Sequence, residues 1–150
     1  MSNPMSLNAG PLSQAIFRAA RLHKAMAGRL LREAHLRPGQ ELVLMTLWQS
    51  GPQRLVDLVQ TLDSDAPTMT RSISRLEKAG LVSRRPSPDD RRATIVEATD
   101  ASLSLRTKVE RAWVELERLT VAGLPAARQA EILDALADLE ANLARAGEGD

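Results

Sequence analysis

The sequence predicts a mostly α-helical fold, a winged helix-turn-helix with a two-stranded β wing and with dimerisation helices at its N- and C-terminal ends. The core must be aliphatic, because 43% of the residues are hydrophobic and only 2% are aromatic. Segments with apolar residues at helical spacing lie at both ends of the chain. Between them, a short basic helical segment precedes two strand-like segments around a proline-containing turn, which is the order of a helix-turn-helix with a wing.

The N-terminal part of the chain predicts a tail and two helices. Residues 1–12 show no periodicity and indicate a flexible tail. Ser13 is the predicted N-cap of a first helix to about Ala34, which the Arg-Pro-Gly sequence at 37–39 ends. A second helix over about residues 40–49 is apolar on almost every side, so we expect it at the centre of the core.

Two short helices and a hairpin follow. The first of these helices is predicted over about residues 55–62. The Asp-Ser-Asp sequence at 63–65 offers N-caps for the next helix, which ends at Gly80. Strand-like segments at 81–85 and 93–98 form the predicted hairpin.

The C-terminal part predicts two more helices. Thr99 and Asp100 can cap a long helix to about Val121, and a last helix after the Gly-Leu-Pro break reaches about Arg145. Its residues Ile132, Leu136, Leu139 and Leu143 recur at the spacing of a heptad seam. Such a seam indicates a dimer contact, and the alternative is that it packs within its own chain.

Charge is unevenly distributed along the chain. Residues 66–99 carry seven basic and four acidic residues, whereas residues 100–150 carry six basic and ten acidic ones. A basic middle segment indicates a module that faces an anion. We therefore expect a winged helix-turn-helix DNA-binding domain at 36–99 and a helical dimerisation region at 13–35 and 100–145.

The fourth predicted helix has the pattern of a DNA-recognition helix. Met69, Ile73 and Leu76 form one narrow apolar stripe, while small hydroxyl and basic residues occupy the other positions. Arginine can pair with guanine N7 and O6, and serine or threonine can reach base edges or phosphates. The alternative reading is an ordinary solvated helix face. The absence of acidic residues before Glu77 favours DNA.

The tip of the predicted wing offers two further cations. Arg91 and Arg92 follow Asp89 and Asp90, and a narrow minor groove attracts an inserted arginine. A neighbouring carboxylate can hold such an arginine extended by a bidentate pair. Without the preceding basic helix, an exposed turn with a weak ion pair would be the better interpretation.

These segments resemble the signature of the MarR family of transcriptional regulators. The resemblance spans about residues 13–145. Its main part consists of Thr68 to Arg71, Arg75 to Val82, Arg84, Asp90 to Arg92, Val96 and Thr99. Upstream it includes Leu44, Leu47-Trp48 and Gly51-Pro52, and downstream Gly123 to Pro125 and Ile132-Leu133. It implies a homodimer with intertwined first and last helices that binds palindromic operators in double-stranded DNA and is often released by small anionic aromatic ligands.

Residue roles follow from the resemblance by position. It places Thr68, Thr70, Arg71 and Arg75 at the major groove, and Asp90 as the brace of Arg92 in the minor groove. The complete predicted DNA-binding set is Thr68, Thr70, Arg71, Ser74, Arg75, Arg84, Asp90, Arg91 and Arg92.

Four residues depart from the family pattern. Ala98 and Ser102 replace a usual Leu and a common Gly, which predicts looser packing at the base of the wing. Arg54 and Val56 occupy positions where Ser or Thr would cap the third helix.

A ligand cleft between the dimer helices and the winged domain is a further expectation. His23, Met45 and Trp48 are its candidate lining residues for a small aromatic anion. The alternative is that Met45 and Trp48 simply fill the core.

Several functions are disfavoured. Cysteine is absent, and His23 and His35 have no recognised metal-binding spacing, so we expect no metal, no cofactor and no thiol-based sensing. No nucleophile elbow or phosphate-binding glycine loop indicates an enzyme. No signal peptide or membrane span is apparent, which predicts a cytoplasmic protein with no membrane partner. The sequence thus predicts a DNA-binding transcriptional regulator, a repressor in our interpretation, with two alternatives left open: a winged-helix protein-interaction module and a ligand-independent DNA-binding protein.

Overall fold

The structure is a computed structural model, and it describes residues 9–62 and 64–149. The tail predicted for residues 1–8 and the cap offered by Asp63 lie outside these residues. In chain order the elements are α1 (Pro11–Leu30), α2 (Gln40–Ser50), β1 (Gln53–Arg54), α3 (Leu55–Thr61), α4 (Ala66–Lys78), β2 (Val82–Pro86), β3 (Thr94–Ala98), α5 (Leu103–Thr120) and α6 (Ala126–Gly147), with 3₁₀ turns at Leu31–Ala34 and Asp100–Ser102. This element order confirms the predicted mostly helical winged helix-turn-helix.

The start of α1 differs from the prediction. The helix begins at Pro11 with Gly10 as its N-cap, so the predicted Ser13 cap is wrong. Proline suits the first turn because its missing N–H would have no partner there. Gly10 has a φ of 68°, a left-handed conformation that favours glycine. The helix also ends earlier than predicted, since the last turn before His35 is 3₁₀.

The sheet has one strand more than predicted. β2 and β3 form the wing hairpin, with Arg84 opposite Val96. β1 adds to the other side of β3, with Gln53 opposite Val96 and Arg54 opposite Ile95, which gives the antiparallel order β1-β3-β2. A two-residue strand has no detectable alternation, and the sequence therefore gives no signal for it.

The core is aliphatic, as the composition of the chain predicts, and it is centred on α2, as the apolar residues of that helix predict. Leu44 of α2, Ile73 of α4, Val96 of β3 and Val109 of α5 are fully buried in one cluster. One carboxylate is buried with them: Glu41 accepts hydrogen bonds of 3.2 and 2.9 Å from the backbone N–H of Gly39. Burial raises the pKa of Glu41, although these hydrogen bonds oppose the shift.

The chain divides into two compact units, Met1–Leu116 and Glu117–Asp150. The first contains the winged domain together with α1, and the second contains α6. Every residue of α6 is exposed or half-exposed. No helix among residues 9–62 and 64–149 is both long enough and apolar enough to cross a membrane.

Candidate nucleic-acid interface

Asp65 fixes the start of the recognition helix α4. Its carboxylate accepts hydrogen bonds from the backbone N–H of Thr68 at 2.7 Å and from the Thr68 hydroxyl at 2.8 Å. These two bonds hold the pKa of Asp65 below its ordinary value. The Thr68 Oγ1 in turn accepts a hydrogen bond of 3.3 Å from Arg71. One short network therefore orients the first turn of the helix and an arginine on its outer face.

The two faces of α4 differ in burial as the sequence predicts. Met69, Ile73 and Leu76 are 3%, 0% and 1% exposed and join the core. The predicted groove-facing residues lie on the other side, where Ser74 is half-buried and the remaining ones are exposed: Thr68, Thr70, Arg71 and Arg75. The helix thus presents hydroxyl and guanidinium groups to solvent from a rigid support.

A bidentate ion pair connects α4 to the wing. Arg84 on β2 donates to Glu77 in the last turn of α4, with Nη2–Oε1 and Nε–Oε2 distances of 2.9 and 3.4 Å. The side-chain hydrogen bond from Arg84 lowers the pKa of Glu77, and the same bond raises the pKa of Arg84. The Arg84 guanidinium, a predicted DNA contact, thus has a protein partner that sequence reasoning missed. Glu77 lies on a helix and Arg84 on a strand, so no periodicity within a single element relates the two residues.

The tip of the wing is a turn built around Asp90. Its carboxylate accepts a hydrogen bond of 3.0 Å from the backbone N–H of Arg92. Its carbonyl accepts another of 2.9 Å from the N–H of Ala93. The predicted bidentate Asp90–Arg92 side-chain pair is therefore replaced by a contact to the main chain, because a short carboxylate two residues before an N–H closes an Asx turn.

Several arginines surround the wing. Arg91 and Arg92 are exposed at the tip. Arg84, Arg85 and Arg91 line a shallow hollow of about 270 Å³ beside Pro86 and Thr94. This concentration of positive charge lies on the hairpin that follows the recognition helix.

Hydrogen bonds from Ser102 and Thr99 hold the base of the wing, where looser packing than in the family stays a prediction. Ser102 is 0% exposed and its hydroxyl donates to the carbonyl of Thr99 at 2.7 Å. The Thr99 hydroxyl donates to the carbonyl of Gly80 at 2.6 Å, at the end of α4. Ala98 packs against the core. A serine here supplies a donor that glycine lacks, so the departure from the family pattern adds a contact.

Arg54 and Val56 leave α3 without a side-chain cap, in agreement with the sequence. Arg54 instead forms a bidentate pair with Asp57, at 3.1 and 3.2 Å. The hydrogen bond with Asp57 raises the pKa of Arg54.

The three predicted ligand-cleft residues have different surroundings. His23 is exposed on α1. Met45 and Trp48 are half-buried on α2 and pack against the core, and the indole Nε1 of Trp48 donates to Ser102 Oγ. A hollow along α1 is lined by residues other than His23, Met45 and Trp48.

Comparison with known proteins agrees with this geometry. Residues 36–94 match the sequence model of the MarR family. A mutant of MarR from E. coli, solved in complex with operator DNA, is 22% identical, with a TM-score of 0.83 over 92% of this chain and 99% of that one.

Two further structures are similar. The transcriptional regulator SlyA is 19% identical, with a TM-score of 0.84 over 93% of this chain and 98% of that one. BpsR of Bordetella bronchiseptica, described with regulation of its DNA binding by 6-hydroxynicotinic acid, is 25% identical, with a TM-score of 0.80 over 87% of this chain and 99% of that one. Residues 36–94 thus match the sequence model of the MarR family, and the chain as a whole shares the winged-helix fold of these structures.

Proposed function

We propose that this protein is a DNA-binding transcriptional regulator, a homodimeric repressor that binds palindromic operators and is released by a small aromatic anion. The observation that carries the proposal is the outer face of α4, where Arg71 and Arg75 are exposed on a helix anchored by three core residues. A helix of 13 residues is about 20 Å long and fits the major groove of B-DNA. In this arrangement the two arginines and the hydroxyls of Thr70 and Ser74 reach base edges and phosphates.

The wing supplies the second contact. Arg91 and Arg92 enter the adjacent minor groove, whose negative potential increases as the groove narrows. Asp90 fixes the turn from which Arg92 projects, and Arg84 positions the wing against α4 through Glu77. Arginines inserted at two grooves give both affinity and a fixed register on the duplex.

Exposed apolar side chains support the dimer. On α1, Phe17 and Leu22 are 66% and 61% exposed, and on α6, Leu133, Leu136 and Leu143 are 68%, 46% and 69% exposed. Helices with this much apolar surface are stabilised when a partner covers it. A twofold dimer presents two recognition helices to major-groove faces about 10 base pairs apart, and its operator is therefore an inverted repeat.

An aromatic carboxylate is the proposed effector class. A small ligand regulates the DNA binding of the similar protein BpsR. We propose that α1, with His23, and α2, with Met45 and Trp48, form the cleft once the dimer is assembled. Because the regulator acts on the chromosome, we also propose a cytoplasmic location.

Selection of bound duplexes from a random DNA pool tests the proposed function, followed by titration of the selected site at several salt concentrations. Inverted repeats are expected, with log K falling linearly against log salt. Single asymmetric half-sites bound by one chain would contradict the dimer, and an absence of any selected sequence would favour a protein-interaction module.

Calorimetry with and without operator DNA tests the effector. By linkage, a ligand that weakens DNA binding must bind the DNA-bound protein more weakly by the same factor, typically about 5- to 150-fold. Equal ligand affinities would identify a ligand-independent DNA-binding protein.

A further inference from the structure

A second basic surface lies on α1, and none of its residues belongs to α4 or the wing. It is a hollow of about 470 Å³ along the second half of α1, the 3₁₀ turn that follows it and the loop before α2. Four of its seven lining residues are cations and none is acidic. The lining residues are Arg21, Lys24, Ala25, Gly28, Arg29, Arg32 and Pro38.

The cations occupy one helical face and repel one another. Arg21 and Lys24 are three residues apart, and so are Arg29 and Arg32, the spacing at which helical neighbours meet. Among residues 9–62 and 64–149, the structure contains no ion pair or side-chain hydrogen bond that neutralises any of the four. Like charges at this spacing destabilise a helix, and an anion bound between them removes that repulsion.

Two small residues, Ala25 and Gly28, also line the hollow. A Cβ atom at Gly28 would lie 3.1 Å from Cγ of Pro38, closer than most such contacts. Glycine therefore allows the loop at Pro38 to approach the helix, and Ala25 adds only a methyl group. The result is an open hollow with four cations in its lining.

We propose that this hollow binds a multiply charged phosphate group. Guanidinium groups pair with phosphate oxygens through two parallel hydrogen bonds, and a dianion or trianion can engage several of them together. The lining contains no aromatic residue, so this chemistry differs from that of the proposed aromatic effector. The phosphate can belong to a soluble polyphosphate-bearing metabolite or to the DNA backbone beside the operator.

Two double variants with equal charge change test the site. R21Q/R29Q removes two cations of the hollow, and R18Q/K108Q removes two exposed cations outside it. In the first arm, pyrophosphate is titrated into each full-length protein by calorimetry at constant ionic strength. We expect R21Q/R29Q to lose about tenfold or more in affinity, the effect of removing charge-assisted hydrogen bonds, while R18Q/K108Q keeps the parent affinity.

The second arm measures DNA affinity against salt on a duplex longer than the operator. If the DNA backbone supplies the phosphate, the slope of log K against log salt becomes shallower by about 0.9 for each phosphate contact that R21Q/R29Q removes. If R21Q/R29Q loses only pyrophosphate affinity, the ligand is a soluble phosphate. If its salt slope for DNA binding also becomes shallower, the ligand is the DNA backbone.

A third variant guards against misfolding as an explanation. Ala25 is exposed, so A25E places a carboxylate in the hollow and A25Q places a neutral side chain of similar size there. We expect A25E to lose more phosphate affinity than A25Q. Equal behaviour of R21Q/R29Q and R18Q/K108Q in both arms would overturn the proposal. A failure of operator recognition would overturn the proposed function instead and would leave the pyrophosphate arm interpretable.

Discussion

The indole Nε1 of Trp48 donates a hydrogen bond of 3.0 Å to Oγ of Ser102 and joins the central helix α2 to the turn before α5. The Ser102 hydroxyl donates a hydrogen bond to the carbonyl of Thr99, and the Thr99 hydroxyl donates one to the carbonyl of Gly80. Three hydrogen bonds thus link α2, the base of the wing and the end of the recognition helix.

Replacing Ser102 with alanine should destabilise the protein by about 1–3 kcal/mol, because the Trp48 N–H then loses its partner in a part-buried site. Urea unfolding followed by tryptophan fluorescence measures the change. Ser104→Ala is the control, since its hydroxyl makes only an exposed bond to Ala101. An equal stability of the two variants would show that the Trp48–Ser102 bond contributes little.

Removing Arg92 should cost about 1–3 kcal/mol in binding to the selected operator and leave the unfolding midpoint unchanged. Asp90→Ala should weaken binding less, because Asp90 only shapes the turn. Fluorescence anisotropy at constant salt measures both. Arg128→Ala on α6, which removes one exposed charge, is the control. Parent-like affinity of Arg92→Ala would exclude the wing contact.

Glu77→Gln should weaken operator binding by loosening the connection between α4 and β2. Glu97→Gln is a matched control, because it breaks the Arg85–Glu97 pair within the wing hairpin. A double-mutant cycle between Glu77→Gln and Arg92→Ala should show coupling, since the first change misplaces the arginine removed by the second. Additive effects would indicate that the Glu77–Arg84 pair does not position Arg92.

Leu136→Glu should convert the proposed dimer into monomers, because it places a charge within an apolar seam. Ala141→Glu adds the same charge on the opposite side of α6 and should leave the dimer intact. Light scattering distinguishes the two. A dimeric Leu136→Glu protein would mean that α6 packs within one chain.

Glu41→Gln should change how stability depends on pH. Burial raises the folded-state pKa of Glu41, so the parent loses stability as pH rises from the unfolded-state pKa of about 4.5 to the folded one. The variant keeps an acceptor for Gly39 but has no proton to lose. Its stability relative to the parent should therefore increase between pH 4 and pH 7. A pH-independent difference would show that Glu41 titrates normally.

The sequence predicted the parts of the fold that follow from periodicity. The stripe of Met69, Ile73 and Leu76 places the recognition helix, because burial repeats with the period of the helix. The strand-like segments on either side of a proline-containing turn place the wing. Contacts between distant residues have no such period. Glu77–Arg84, Trp48–Ser102 and the strand β1 depend on how elements are arranged in space, and they became visible only in the structure.

The position of β3 in the middle of the sheet has a consequence for the DNA. Because β1 holds β3 on one side and β2 holds it on the other, the wing is anchored to the segment that leads into α3. The distance between α4 and the wing tip is then fixed by the protein, and in the proposed complex the duplex adapts to it. Base steps that no side chain touches would be selected for how easily they bend or narrow, so part of the operator sequence would be read through its mechanical properties.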